Sequence, residues 1–219
     1  MNKSLRSAAQ LHKNVPPDWY HASIQRNFFQ RWWHYSRFTK VKDYSEFVDG
    51  KILDIGCADG VFTKEILDKT QAAEIIGIDV LESSINWARA HWKEEKRLKF
   101  EVGNAHKLKF KQNSFGAVYI LEVMEHVSDP IDVLNEAKRV LKKGGYLIML
   151  VPSDNLLFRI VWWIVTNFWW AKIWEDCHVN SFNSKNPLSK YAKEAGFKIE
   201  VDEKFWLGML NIVKIRKLK

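Results

Sequence analysis

Cysteine is nearly absent: Cys57 and Cys177 are the only two in 219 residues, they lie 120 positions apart, and neither belongs to a C-x-x-C pair. That usage excludes a disulfide framework and a cysteine-ligated zinc site, so both read as plain thiols. Missing too is a basic start followed by an apolar stretch, since "MNKSLRSAAQLHKNVPPDW" is polar throughout. A cleaved signal peptide is therefore not expected, and the chain is expected in the cytoplasm. No apolar run reaches the ~20 residues that a membrane span needs; the longest uncharged stretch, 160–171, is twelve residues. There is no internal repeat, no low-complexity tract and no G-x-S-x-G nucleophile motif. The formal charge is +8, with the basic residues spread rather than banded apart from the terminal "KIRKLK". Such a surface favours anionic partners in general without designating nucleic acid, which is not expected as a partner.

What is present falls into three zones. Residues 1–48 turn from polar to aromatic, and Trp19, Tyr20, Phe28, Phe29, Trp32, Trp33, Tyr35 and Phe38 recur at helical spacing after "VPPDW". This predicts a helical extension ahead of a main domain over 49–219. From Lys51 to Pro152, runs rich in Ile, Val and Leu ("KILDIG", "EIIGIDV", "RLKFEVG", "FGAVYIL", "YLIMLVP") alternate with amphipathic segments ("GVFTKEILDKT", "ESSINWARAHWKEE", "PIDVLNEAKRVLKKGG"). That pattern predicts a parallel sheet covered on both faces. Lys142 and Lys143 before Gly144 and Gly145 read as the end of the last of these helices. The third zone holds a tryptophan-rich stretch, a helix "PLSKYAKEAGF", and two strand-like runs close enough to pair as an antiparallel hairpin. The fold expected is α/β: a Rossmann-like doubly wound sheet of seven strands with a C-terminal antiparallel hairpin and an N-terminal helical extension.

The turn after the first strand singles out a ligand site. "KILDIGCADG" sets Asp54, Gly56, Ala58 and Gly60 at alternating positions, where glycine allows a ligand to approach the main chain. Asp79 ends the second strand nineteen residues after Gly60, suitably placed to accept hydrogen bonds from both hydroxyls of a ribose. The two features imply a nucleoside-containing cofactor. It is not a dinucleotide, because the third glycine of G-x-G-x-x-G is replaced by Val61.

The order of these motifs, together with "GNAHKLKF", "FGAVYILEVMEHVSDP" and the late "LSKYAKEAGF", resembles the class I S-adenosylmethionine-dependent methyltransferases in their type 11 branch. Ala58 departs from the usual middle glycine by one methyl. The resemblance implies S-adenosylmethionine as cofactor, with Gly56, Cys57, Ala58 and Gly60 lining it and Asp54 bracing the loop and the amino-acid moiety. It further implies Asp79 on the ribose, Val80 against adenine, Asn104 or Ala105 near the adenine edge, and Leu121 completing the set.

"LEVMEHV" then puts Glu122, Glu125 and His126 at the end of the fourth strand, where acceptor meets cofactor. Either Glu125 or His126 suits a general base for a hydroxyl or amine acceptor. The same E-x-x-E-H string holds a metal in some relatives of the family, with His178 a possible fourth ligand here, but the reading preferred is a metal-free one in which the second acid and the histidine shape the loop. His106 fits a scaffold role.

Residues 153–180 read as an insertion. Being apolar all round, 156–174 predicts burial. Three roles stay open for it: a lid over an apolar acceptor, a peripheral membrane contact, or a homodimer interface. The expected activity is methyl transfer to a small-molecule or lipid-like acceptor. The alternatives are a metal-assisted O-methyltransferase on a quinone precursor or RNA 3′ end, and a non-catalytic membrane or protein adaptor.

Overall fold

Seven strands build one sheet: β1 (Lys51–Ile55), β2 (Glu74–Asp79), β3 (Leu98–Val102), β4 (Phe115–Leu121), β5 (Leu141–Pro152), β6 (Lys198–Phe205) and β7 (Leu210–Arg216). The computed structural model describes residues 14–168 and 180–218; Cys177, His178 and 169–174 of the insertion lie outside them. The strand order is β3-β2-β1-β4-β5-β7-β6. The first five strands run parallel, and β7 is antiparallel to both β5 and β6. The seven-stranded α/β sheet and its closing hairpin are thus as the sequence pattern implies.

Helices cover both faces: α1 (Trp19–Arg26), α2 (Phe28–Tyr44), α3 (Val61–Thr70), α4 (Glu82–His91), α5 (Pro130–Val140), α6 (Leu156–Phe168) and α7 (Leu188–Glu194). Central strands carry continuous apolar runs because both of their faces are covered. Leu53, Val118 and Ile120 pack with Leu134 of α5 and Leu188 of α7 on one side. Ile52, Tyr119 and Ile148 pack with Phe38 of α2, Ile66 of α3 and Ile85 of α4 on the other.

The N-terminal helices are fixed to this frame by specific bonds. Asn27 caps α2, its side chain accepting from the N–H groups of Phe29 and Gln30. Phe38 meets Phe62 edge to face at 3.9 Å between ring centroids. At the end of α2 the buried Tyr119 hydroxyl donates to Ser45 Oγ at 2.9 Å and lies 2.9 Å from the Tyr146 hydroxyl. Helix α4 stops at His91, and Trp92 turns inward to donate its indole N–H to the carbonyl of Asp59 at 2.9 Å.

Two expectations are corrected. Helix α5 ends at Val140, so Lys142, Lys143, Gly144 and Gly145 belong to the start of β5. The cause is Leu141, which is fully buried and pairs with Phe115. The next pair is Ala117 with Tyr146, so residues 142–145 bulge out of the ladder. There Gly144 has φ +76°, and a Cβ on Gly145 would sit 2.7 Å from the carbonyl oxygen of Gly116. The second correction concerns α6. Phe158 and Trp162 stack at 5.6 Å and turn inward, but Leu156, Ile160, Trp163 and Ile164 are exposed rather than buried.

Gly145→Ala is expected to lower the unfolding free energy by about 1–3 kcal/mol, because the new methyl meets backbone that cannot yield. Gly144→Ala meets no atom within 4 Å and should cost only the left-handed backbone, about 1 kcal/mol. Urea midpoints of the two variants measure the difference.

Candidate functional site

The order of strands reverses between β1 and β4, which opens a crevice at their carboxyl ends. The turn after β1 is pinned to β2: the N–H groups of Gly56 and Cys57 both donate to the carbonyl of Ile78, at 2.7 and 3.0 Å. Asp79 holds the next residue, accepting from Ala58 N at 3.0 Å through Oδ2 and from Leu81 N at 2.9 Å through Oδ1. Gly56 has φ +77°, and a Cβ there would lie 2.1 Å from Val123 Cγ2, so only glycine fits. Ala58 also adopts the left-handed region at φ +46°, a conformation that costs a residue with a Cβ about 1–2 kcal/mol.

The turn carries two buried acids. Asp54 accepts from Thr63 Oγ1 at 2.6 Å, and burial raises its carboxyl to about 7. Asp59, raised by burial to about 6, accepts from His21 N of α1 at 2.8 Å and from Val61 N of α3 at 3.3 Å. One side chain thereby joins the turn to the N-terminal helix.

A cavity of about 650 Å³ occupies the crevice. Gly56, Ala58, Asp79, Val80, Asn104 and Ala105 line one part of it, and Glu125 and His126 another. The roof comes from elsewhere in the chain: Trp19, Tyr20, Phe29 and Trp33 of α1 and α2, with Phe158 and Trp162 of α6. Asp54, Cys57, Gly60 and Leu121 stand behind this wall. Gly60 caps α3 with Phe100 and Trp92 against it, and Cys57 and Leu121 are buried in the core. His106 bridges two loops, its ring nitrogens 3.3 Å from Asn104 Oδ1 and from Ser128 Oγ.

Arg37 is the residue that sequence reasoning missed. It reaches the cavity from α2, and its Nη1 donates to Glu122 Oε2 at 2.6 Å with the guanidinium only 3 % exposed. Its Nη2 donates to Nδ1 of His34, which burial and the neighbouring guanidinium hold neutral, well below its ordinary pKa. Nothing local announced this, since Glu122 lies 85 residues away. Arg37 Nε, Glu122 Oε1 and Glu125 Oε2 are buried at the cavity without a hydrogen-bond partner among the described residues. Burial, reinforced by the Glu122 charge, pushes the Glu125 carboxyl well above the carboxylate range. Among the described residues no group of three or more His, Cys, Asp or Glu is arranged to hold a metal ion. The turn Met124–His126 is held in place by Asn180, whose N–H donates to the Glu125 carbonyl at 2.9 Å.

Residues 53–149 match the family model described as a methyltransferase domain. A ubiquinone biosynthesis O-methyltransferase of Pelagibacter ubique is 28 % identical over 150 residues, which are 64 % of this chain and 61 % of that protein. The chain therefore spans less than two thirds of that curated relative. Among solved structures, PH0226 protein from Pyrococcus horikoshii OT3 superposes with a TM-score of 0.73 at 23 % identity, covering 95 % of this chain and 98 % of that one. Geranyl diphosphate C-methyltransferase from Streptomyces coelicolor A3(2), solved with Mg²⁺, geranyl diphosphate and S-adenosyl-L-homocysteine, gives 0.70 at 13 % identity, with 96 % and 88 % covered.

The buried acids fix a pH dependence. Asp54 ionises near 3.8 in the unfolded chain and about 7 in the folded one, so the folded state binds extra protons between these values. Its contribution is greatest below about pH 4 and declines as pH rises to about 7. Asp54→Asn should flatten that part of the curve of melting temperature against pH while leaving the region above pH 8 level. Ala58→Gly should raise stability by about 1 kcal/mol without weakening cofactor affinity, as read by denaturant titration and calorimetry.

Proposed function

We propose that the chain, whose residues 53–149 match a methyltransferase-domain model, uses S-adenosylmethionine to transfer a methyl group to a small or lipid-like acceptor with an apolar body. One observation carries this: a single cavity joins the bare turn at Gly56 and Ala58 to an aromatic roof over Glu125 and His126. A cofactor held at the turn and an apolar acceptor held under the roof would meet inside it.

The donor set suits S-adenosylmethionine. Asp79, anchored by accepting from Ala58 N and Leu81 N, puts a carboxylate into the cavity at the end of β2, where it suits the two hydroxyls of a ribose. Val80 and Ala105 offer apolar contact to adenine, with the Asn104 amide at its edge. The unpartnered Arg37 Nε–H is a donor for the carboxylate of the amino-acid end. Asp54, Cys57, Gly60 and Leu121 act from behind, keeping the turn in shape. When bound, the cofactor supplies an electrophilic methyl on a sulfonium, so the protein itself needs no nucleophile.

What the chain does is hold the acceptor in line and exclude water. Trp19, Phe29, Trp33, Phe158 and Trp162 suit the second task. Glu125, kept protonated by burial, donates a hydrogen bond from its carboxyl to the acceptor group, and His126 takes the proton that the acceptor loses. An acceptor with a hydroxyl or amine head and an apolar body satisfies both ends.

Asp79→Ala should weaken S-adenosylmethionine binding at least tenfold in calorimetry, since it removes a charged acceptor from two ribose hydroxyls. His126→Ala should leave that affinity intact and lower kcat by roughly 10²-fold in a methyl-release assay. The purified chain, screened against amphipathic hydroxyl and amine acceptors, should release S-adenosylhomocysteine with at least one of them. Unchanged affinity in Asp79→Ala would remove the ribose assignment, and undetectable cofactor binding by the native chain would remove the whole reading.

A further inference from the structure

Outside the cavity mouth the described residues present an exposed apolar face. Phe28 is 74 % exposed, Leu156 74 %, Trp163 58 % and Leu207 84 %, with Trp32, Ile160 and Ile164 also open. These residues come from three separate segments, the start of α2, helix α6 and the β6–β7 turn. Contacts join the three. Trp206 packs edge-on against Trp32 at 4.4 Å, and its indole N–H donates to Ser36 Oγ at 3.1 Å. On the other side Asn155 Nδ2, just ahead of α6, donates to the carbonyl of Leu207 at 3.4 Å. Phe29 of α2 and Trp162 of α6 both line the cavity.

The turn is built to present Leu207. Trp206, Leu207 and Gly208 all have positive φ, at 55°, 54° and 77°. Left-handed backbone at two consecutive bulky residues is costly, and the result is a leucine held outward at the tip of a hairpin. Charge distinguishes what could cover this face. Residues 19–35, 156–168 and 204–209 carry Arg26, Arg31, Arg159 and Lys204 and no acid, in a chain with 26 Asp and Glu. The nearest acids in sequence stand at the borders: Asp18, Glu203, which is paired with Lys40, and Asp154, which is 3.9 Å from Arg159. A second copy would set cation against cation. An anionic surface with an apolar interior complements both the rim charges and the tryptophans, which favour the bilayer interface. Among the described residues no helix is long and apolar enough to cross a membrane, and α6, at 13 residues, suits the plane of one.

We propose that this face seats the protein on an anionic lipid bilayer, Leu207 and the outer residues of α6 and α2 entering the headgroup boundary. Resting on the function proposed above, the acceptor then enters the cavity between α2 and α6 without passing through water. The seating itself needs no catalytic step and is tested separately.

The test is flotation of the full chain with vesicles of pure phosphatidylcholine and of phosphatidylcholine containing about one third phosphatidylglycerol. Partition is expected on the anionic vesicles, falling with added salt. Leu207→Glu and Trp163→Glu, neither of which lines the cavity, should each weaken it at least tenfold while retaining S-adenosylmethionine affinity. Arg159→Gln should weaken it about fivefold. Phe47→Glu makes the same change at an equally exposed aromatic (72 %) ahead of β1, at the other end of the sheet, and should not. Absence of partition on anionic vesicles overturns the proposal, as does an equal loss in Phe47→Glu. So does a homodimer in light scattering that Leu207→Glu dissolves in a chain that ignores vesicles. Vesicle binding by a chain that binds no cofactor would instead leave the seating standing and remove the methyl-transfer reading.

Discussion

A guanidinium cannot be buried alone, and the site is organised by how Arg37 is neutralised. Isolated burial of the charge would cost several kcal/mol, and the remedy is a carboxylate at 2.6 Å and a neutral imidazole on the other side. Glu122 belongs to the end of the sheet and His34 to the same helix as Arg37, so meeting this need fastens α2 over the carboxyl end of β4. The fastening has a local cost, since Glu122 itself sits at φ +60°. It also bears on the metal reading, because the first acid of the E-x-x-E-H string already serves as a counter-ion.

The other tie between roof and floor is Asp59. Its carboxylate accepts from His21 N in α1 and Val61 N in α3, while its carbonyl accepts from Trp92. The turn that presents bare backbone to the cavity is therefore the same turn that holds the N-terminal helix above it. Arg37 and Asp59 make two separate ties, one through charge neutralisation and one through backbone hydrogen bonds. Losing either would loosen the roof, even though neither lies among the residues that the sequence motifs single out.

How much of this was legible follows from the range of each interaction. The parallel strands were readable because burial on both faces demands unbroken apolar runs such as "AVYIL", and the turn was readable because Gly56 must lack a Cβ beside Val123. Asp79 is equally local, fixed by the end of a strand. The end of α5 misled because Lys-Lys-Gly-Gly is a sound helix stop in isolation, and only the burial of Leu141 beside Phe115 moves those residues into a strand bulge. Arg37 was invisible for a different reason. A single cation in an aromatic helix has no pattern, and its partner is 85 residues away.

Helix α6 shows where composition reasoning stops. An all-apolar circumference implies two apolar surroundings, and protein burial was the simplest way to supply both. The structure supplies one: Phe158 and Trp162, four apart, turn to the cavity. Leu156, Ile160 and Trp163 lie on the outer side and stay largely exposed. A sequence that keeps large apolar residues on that outer face, with a strained hairpin adding Leu207 beside them, retains a feature that lowers solubility and adds nothing to the core. On the seating proposed above, the outer face has its own apolar environment, and the wall between the two environments would be the route by which an apolar acceptor reaches the turn at Gly56.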